Sequence, residues 1–409
     1  MMWMTLIGKL TSLVYPEMSE RTATQQSNFP GRLAIQQRVL PSYRTPFFSL
    51  LVKACDGGLS IFAGDPLPRE GISSTKSSSI FNYFHARNRH FQDPSSSLYF
   101  CWQDGLLSWL DSVDPDGLII EANPRYLSSG QAIEWMHKKG RPVIGWGLGA
   151  PVIDGISFPK NILSIVQKRF RRRFLLSLDG VISYSNSGAE EYITEGVPRE
   201  RISIATNAVV ARPTESPPAR SKEIRGHLRV LFVGRLQARK RLGNLFLACA
   251  NLPSDLQPLV WIIGDGPAGV HFQNYAKEVY HQVEFLGAQY GSALRSYFLE
   301  ADLFVLPGSG GLAVQEAMAH GLPVIVAEGD GTQSDLVRKE NGWLVPPDDV
   351  DALTQALAGA LADVKSLRLK GLESLRIVKD EVNLESMVES FVFALNKITS
   401  HTTTRNKNR

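Results

Sequence analysis

The 409-residue chain is poor in several things at once. It has three cysteines, Cys55, Cys101 and Cys249. They are too few and too scattered for a disulfide framework or a zinc site, and such usage fits a reducing compartment. No run reaches the roughly 18–20 apolar residues that span a bilayer. The start, Met1–Tyr15, is mildly apolar and holds a single Lys, Lys9. It lacks a basic n-region and a small-residue cleavage site, so it reads as an untidy leader or upstream start rather than a secretory signal. A charged fraction of 21% beside an apolar fraction of 43% excludes a disordered, collagenous or coiled-coil chain. Acid is missing in one place: no Asp or Glu lies between Gly155 and Leu178. That stretch contains Lys168, Arg169, Arg171, Arg172 and Arg173, and without these five cations the net charge of +4 would be −1.

At about 100–200 residues per domain, the length predicts two domains. Residues 1–30 read as a poorly ordered lead-in. Strand-like runs follow at 33–40, 59–62, 98–102, 117–121, 142–146, 181–184 and 202–205. Helical segments at 46–54, 105–110, 129–139 and 161–178 separate them, and 64–80 is Gly/Pro/Ser-rich loop. Ala211–Lys222 holds Pro213, Pro217 and Pro218 and little apolar content, which is linker chemistry. Beyond it, short apolar runs at 228–233, 260–263, 283–286, 303–306, 323–327 and 343–345 lack alternation, as strands buried on both faces do. Helical segments at 242–250, 268–279, 292–299, 311–320, 333–338 and 350–363 separate these. The expected organisation is therefore a first domain over 31–210, a linker over 211–225 and a second over 226–383. A last amphipathic helix is expected within 384–400 and a mobile polar tail over 401–409. Both domains are expected to be doubly wound α/β units, with ligands at the carboxyl ends of the strands.

Three post-strand segments carry chemistry. In Gly234–Arg241, four of eight residues are cationic, which suits a diphosphate beside a helix start; a solvated basic turn is the plainer alternative. Gly264-Asp265-Gly266-Pro267 allows a sharp turn and close backbone approach. In Leu306-Pro307-Gly308-Ser309-Gly310-Gly311, a strand, a glycine cluster and the start of a helix at Leu312 make an anion cradle. Glu316, inside that helix, could accept two hydrogen bonds from a diol.

These runs, in series with Val283-Glu284-Phe285-Leu286-Gly287 and Glu316-Ala317-Met318-Ala319-His320-Gly321, resemble retaining glycosyltransferase family 4, the "group 1" transferases of GT-B fold. The match in order and spacing covers about 226–363. In the first half it is weaker, resting on Asp179-Gly180-Val181-Ile182, Arg201-Ile202 and Asn207. The resemblance implies that Arg235 and Lys240 hold a diphosphate and stabilise its growing charge. It further implies that Gly234, Gly264, Asp265, Gly266, Ser309, Gly310, Gly311 and Leu312 line the donor and that Glu316 holds the ribose. Two features depart from the family. The first glutamate of E-x7-E would fall on Gly308, and no histidine follows the strand ending Gly145-Trp146-Gly147-Leu148-Gly149.

Arg44, Arg125 and Trp146 follow first-half strands and are weak acceptor-side candidates. Loop solvation is the alternative for the arginines, and core packing is the favoured reading of Trp146. Asp114-Pro115-Asp116 and Asp349-Val350-Asp351 match D-x-D by coincidence, and His85 and His90 are spaced wrongly for a metal, so no metal site is expected. The basic helix at 160–178 has an apolar face and predicts peripheral contact with anionic membrane. Nucleic acid is not expected, since no aromatic platforms accompany the basic run. The expected protein is thus a cytoplasmic transferase, with peripheral contact on the inner face of the membrane. It would move a sugar, with retention, from a UDP- or GDP-linked donor to a glycan or lipid-linked acceptor, and need no cofactor. The alternatives are an epimerase, an inverting GT-B transferase and a non-catalytic sugar-nucleotide-binding module.

Overall fold

The computed structural model describes residues 28–407 except 95, 97, 151–162, 216–219 and 221–226. The lead-in and leader expectations for 1–27, and the start of the helix expected from 161, lie outside the described residues.

The first domain carries strands β1 (Leu33–Val39), β2 (Leu59–Gly64), β3 (Asn82–Phe91), β4 (Phe100–Asp104), β5 (Gly117–Glu121), β6 (Val143–Gly147), β7 (Gly180–Ser183) and β8 (Ile202–Ile204). They form one sheet in the order β4-β3-β2-β1-β5-β6-β7-β8. Only the β3–β4 pair in this sheet is antiparallel. Helices α1 (Thr45–Leu51), α2 (Leu106–Val113), α3 (Ser128–Lys138), α4 (Leu163–Leu176) and α5 (Asn186–Thr194) connect the strands. β5 and β7 are near-continuous apolar runs because the sheet is covered on both faces. β3 escapes such reading. Its sequence, Asn82-Tyr83-Phe84-His85-Ala86-Arg87-Asn88-Arg89-His90-Phe91, is mostly solvent-facing, and pairing with β2 and β4 makes it a strand. His85 and His90 on it bond to Asp65 (2.9 Å) and to the Tyr99 hydroxyl (2.8 Å).

The second domain carries β9 (Arg229–Val233), β10 (Leu259–Ile263), β11 (Val283–Phe285), β12 (Leu303–Leu306), β13 (Val324–Ala327) and β14 (Gly342–Val345). All its pairs are parallel, in the order β11-β10-β9-β12-β13-β14. Numbered within the domain this is 3-2-1-4-5-6, the order of dinucleotide-binding sheets. Around it pack α6 (Leu242–Ala250), α7 (Gly269–Val279), α8 (Gly291–Glu300), α9 (Leu312–Ala319), α10 (Gln333–Leu336), α11 (Val350–Ala362) and α12 (Val364–Asp380). Asp349 caps α11 by accepting the Ala352 N–H at 2.8 Å. α12 follows α11 after one residue, Asp363, which accepts the Ser366 N–H. That immediate restart hides α12 from sequence reading. Gly371 on α12 lies so close to the Gly321 carbonyl that a Cβ would sit 2.2 Å from it.

Arg220 is half-buried and donates to the carbonyls of Phe298 (2.8 Å), Leu299 (3.0 Å), Ala301 and His320 (2.9 Å). It thereby satisfies carbonyls at the ends of α8 and α9. The last helix, α13 (Leu384–Lys407), returns to the first domain. Its Phe391 meets Trp146 edge-on at 5.0 Å and Phe47 at 4.9 Å. α13 runs on to Lys407, past the end at 400 that the sequence suggests. Order also begins earlier than the sequence suggests: Phe29 is buried and bridges to Cys55.

Candidate functional site

The second-domain crevice opens where the strand order reverses, between β9 and β12. These neighbours share register only at Val230–Leu303 and Leu231–Phe304. β9 stays paired with β10 through Val233. Past Leu231 the chain therefore diverges from β12 and leaves a cleft at the strands' carboxyl ends.

Glycines let the backbone close this end. The Gly234 N–H donates to the Ile263 carbonyl at 2.9 Å. Gly264, at φ +137°, faces the Gly234 carbonyl so closely that a Cβ would lie 2.0 Å from it. The Leu236 N–H donates to Asp265 O (2.9 Å), and a Cβ on Gly266 would come within 2.3 Å of Leu236 O. The exposed Asp265 side chain makes no hydrogen bond among the described residues.

Lys240 ends a single 3₁₀ turn, Ala238–Lys240, and its Nζ donates to Ser309 O at 2.6 Å. Burial, and then the neighbouring Arg239 charge, push its pKa down to about 8. The Ser309 N–H donates to Arg239 O and Gln333 Nε2 donates to Gly310 O, so the glycine loop is held on both sides. Gly311 is the N-cap of α9, and no side chain caps that helix. Its first N–H groups therefore face the crevice unclaimed by a cap, as an anion site requires. Leu312 opens the helix and Glu316 stands one turn on. Burial raises the Glu316 pKa, and among the described residues its carboxylate has no hydrogen-bond partner.

Lys240 and the glycine loop thus meet at this cleft, with Glu316 one turn further along α9, while Arg235 points elsewhere. Its Nη1 donates at 2.9 Å to Gly71 O in the first domain. Gly71 follows the short turn Pro68–Glu70, and Glu70 takes a bidentate pair from Arg38 (2.7 and 3.0 Å). Burial alone would raise the Glu70 pKa, but Arg38 and the Leu67 N–H bring it below its ordinary value. Further cross-domain bonds run from Asn186 to Asp335 (2.8 and 3.0 Å). Gln315, buried beside Glu316, donates to Asn207 O and accepts the Val209 N–H (2.5 and 2.8 Å).

The first-domain crevice lies at its own strand reversal, between β1 and β5. Register runs to Gln36–Ile120, after which the Glu121 carboxylate replaces backbone by accepting the Arg38 N–H at 2.5 Å. Burial raises the Glu121 pKa, against the pull of Arg38 and Arg44. Trp146 pairs in register with Glu121, is 2% exposed and packs on Phe47, Phe48, Tyr184 and Phe391. Arg44 is not solvated loop: at 3% exposure it stacks over Trp146 (4.7 Å) and Tyr184 (5.2 Å) and, among the described residues, forms no salt bridge, acting on the Glu121 carboxylate from a distance. Arg125, Trp146, Glu121 and Tyr184 line a cavity of about 440 Å³. Arg38, Glu70, Glu121 and Gln315 escaped sequence reading. A carboxylate closing the apolar run of β5 was the one available signal. The two D-x-D runs are structural: besides the Asp349 cap, Asp114 takes Arg141 and Lys139 (2.6 and 2.9 Å) and Asp116 accepts the Arg32 N–H (2.8 Å).

Two Rossmann-like domains with facing crevices and a C-terminal helix returning to the first define the GT-B architecture. A sucrose-phosphate synthase from Thermosynechococcus elongatus superposes with a TM-score of 0.67 at 18% identity, covering 90% of this chain and 99% of that one. Anabaena Alr3699/HepE in complex with UDP superposes with a TM-score of 0.63 at 17% identity, covering 89% and 99%. Residues 215–370 match the family model described as "Glycosyl transferases group 1". Among curated relatives, the putative colanic acid biosynthesis glycosyltransferase WcaL of Escherichia coli is 28% identical over 209 residues, 47% of this chain and 48% of its own length. A GDP-mannose-dependent alpha-mannosyltransferase of Mycolicibacterium smegmatis is 33% identical over 172 residues, 40% of this chain and 43% of its own. The chain thus spans about half or less of the length of the curated relatives it matches.

Proposed function

We propose that the protein is a hexosyltransferase that moves a sugar from a nucleoside-diphosphate donor to a glycan or lipid-linked acceptor, retaining anomeric configuration. The carrying observation is the convergence of Lys240, the Ser309–Gly311 loop and the uncapped α9 N-terminus in a strand-reversal crevice. Breaking the C1–O bond to the diphosphate leaves positive charge on the sugar and negative charge on phosphate. Lys240 and the α9 N–H groups then stabilise the phosphate, and Arg235 joins them when it leaves Gly71. Glu316 accepts from the ribose diol. In the retaining reaction the acceptor oxygen forms the new bond on the face the phosphate leaves, and its proton passes to that phosphate. The acceptor occupies the first-domain crevice around Arg125 and Trp146, with Arg44 buttressing Trp146. The exposed, cationic side of α4 rests on anionic membrane at the inner face.

One observation favours a second reading, a sugar-nucleotide-binding module without transfer. At Gly308, eight residues before Glu316, a Cβ would sit 2.3 Å from Arg239 O, so no glutamate fits there to meet the donor sugar. Calorimetry with UDP and GDP on wild type, Arg235→Ala and Lys240→Ala tests the site, followed by transfer assays over a nucleotide-sugar panel. Lys240→Ala is expected to weaken nucleotide binding tenfold or more. Unchanged binding in both variants would overturn the site. Nucleotide binding without turnover of any donor would favour the second reading.

A further inference from the structure

Of the two side chains expected to hold a diphosphate, Lys240 lies against the glycine loop whereas Arg235 reaches across to the first domain. The place it reaches is shaped for it. Gly71 ends the Pro68–Glu70 turn at φ +59°, a left-handed conformation that suits glycine. The Arg235 guanidinium lies flat against this glycine. A Cβ on Gly71 would stand 2.1 Å from Nη1 and within 2.5 Å of Cζ and Nη2, so a residue with a side chain leaves no room for the contact.

Both flanks of Gly71 are pinned to the chain around the end of β1. Before it, Glu70 accepts two bonds from Arg38 and a third from the Leu67 N–H, and both side chains of that ion pair are largely buried. After it, Ser73 O accepts the Ser42 N–H (2.8 Å), and the Thr75 N–H donates to Leu40 O (2.9 Å). The turn is therefore fixed and does not follow Arg235 when the guanidinium moves. The arginine end is loose by comparison. Its side chain is exposed, and among the described residues its guanidinium makes no hydrogen bond besides the one to Gly71 O. Its backbone nevertheless starts at the crevice. The preceding residue, Gly234, faces the Lys240 stem, where a Cβ would lie 3.9 Å from Cε.

We propose that the Gly71 carbonyl is a placeholder for the donor diphosphate, holding Arg235 out of the cleft until a nucleoside diphosphate takes the guanidinium over. The exchange breaks one hydrogen bond to a neutral carbonyl and makes charge-assisted bonds to phosphate, which are the stronger kind. Rotation within the Arg235 side chain is enough, and it releases one of the ties between the domains. Glu70 and Gly71 are thus positioning residues for Arg235. This inference rests on the second-domain cleft being the donor site.

Calorimetry on the full chain tests it with UDP and with uridine, which has no diphosphate. In Gly71→Ala the added methyl group displaces the guanidinium, a flexible end that moves more easily than the pinned turn. UDP is expected to bind about threefold more tightly than to wild type, as for a guanidinium held away about two-thirds of the time. Uridine affinity should not move. In an Arg235→Ala background the same substitution should give no gain. Glu70→Gln loosens the turn without adding a side chain at Gly71, and should tighten UDP about twofold, again only when Arg235 is present. Circular dichroism checks the fold of each variant, and if Gly71→Ala does not fold, Glu70→Gln carries the same comparisons. Unchanged or weaker UDP binding in the folded variants, or a gain that persists without Arg235, would overturn the proposal. UDP binding that depends on Lys240 but not on Gly71 or Glu70 would overturn the placeholder and leave the donor site standing. No UDP binding by wild type would overturn both.

Discussion

Both domains open a crevice where their strand order reverses, and they finish it in opposite ways. In the second domain the edge is made of backbone. Gly234, Gly264 and Gly266 bring two loops within carbonyl contact, and Gly308–Gly311 lead into an uncapped helix. The half-buried Lys240 rests there on a carbonyl. In the first domain the edge is made of side chains. Glu121 plugs the reversal, Arg38 ties it to Glu70, and Arg44 lies over aromatic rings. On the proposed reading, the backbone-built cradle would recognise what every nucleoside diphosphate shares, and the side-chain-built cavity is the part free to differ from one acceptor to the next. The two meet along one chain of contacts, Glu121–Arg38–Glu70 and then Gly71–Arg235.

The sharpest way to break this comparison is to put a methyl group into the backbone-built edge. Gly264→Ala meets both a left-handed φ and the Gly234 carbonyl, so the second domain should lose about 3 kcal/mol. Chemical denaturation followed by circular dichroism reads this, and a loss below about 1 kcal/mol would show that the loops are not tightly clamped. A smaller effect follows from Lys240. Its pKa of about 8 lies below the ordinary lysine value, so the free protein loses this charge as pH rises through 8. UDP holds the proton on, so affinity should be full near pH 7 and fall up to tenfold by pH 9, where calorimetry reads it. A flat profile would mean that Lys240 does not face the diphosphate. The smallest effect belongs to the side-chain-built edge. Arg44→Met keeps length and removes a buried cation that forms no salt bridge among the described residues, so stability should change by less than about 1 kcal/mol. A loss above about 3 kcal/mol in urea titration would show that Arg44 balances Glu121 and is as strictly required as the glycines opposite.

The contrast also explains what could be read in advance. β5 matches its expected span, Gly117–Glu121, residue for residue, and β12 matches Leu303–Leu306, because each is an uninterrupted apolar run between turn residues. β3 does not announce itself, because its residues satisfy their backbone through neighbours contributed from elsewhere rather than through burial of their own. α4 was legible as amphipathic. That Arg171 turns inward to Glu195 while its neighbours face out was not, since the partner lies 24 residues away.

What the sequence by itself determined is the alternation of strand and helix, the midpoint linker and the glycine-rich turns. Each is written in consecutive residues, because close backbone approach and positive φ admit glycine almost alone. What only the tertiary structure decided is which groups the charged side chains meet. Arg38 and Glu70 are 32 residues apart, Arg38 and Glu121 83, and Arg235 and Gly71 164. An arginine or glutamate looks the same in a chain whether it is solvated, capping a helix or plugging a sheet, because its hydrogen bonds are specified by geometry that the neighbouring residues do not encode.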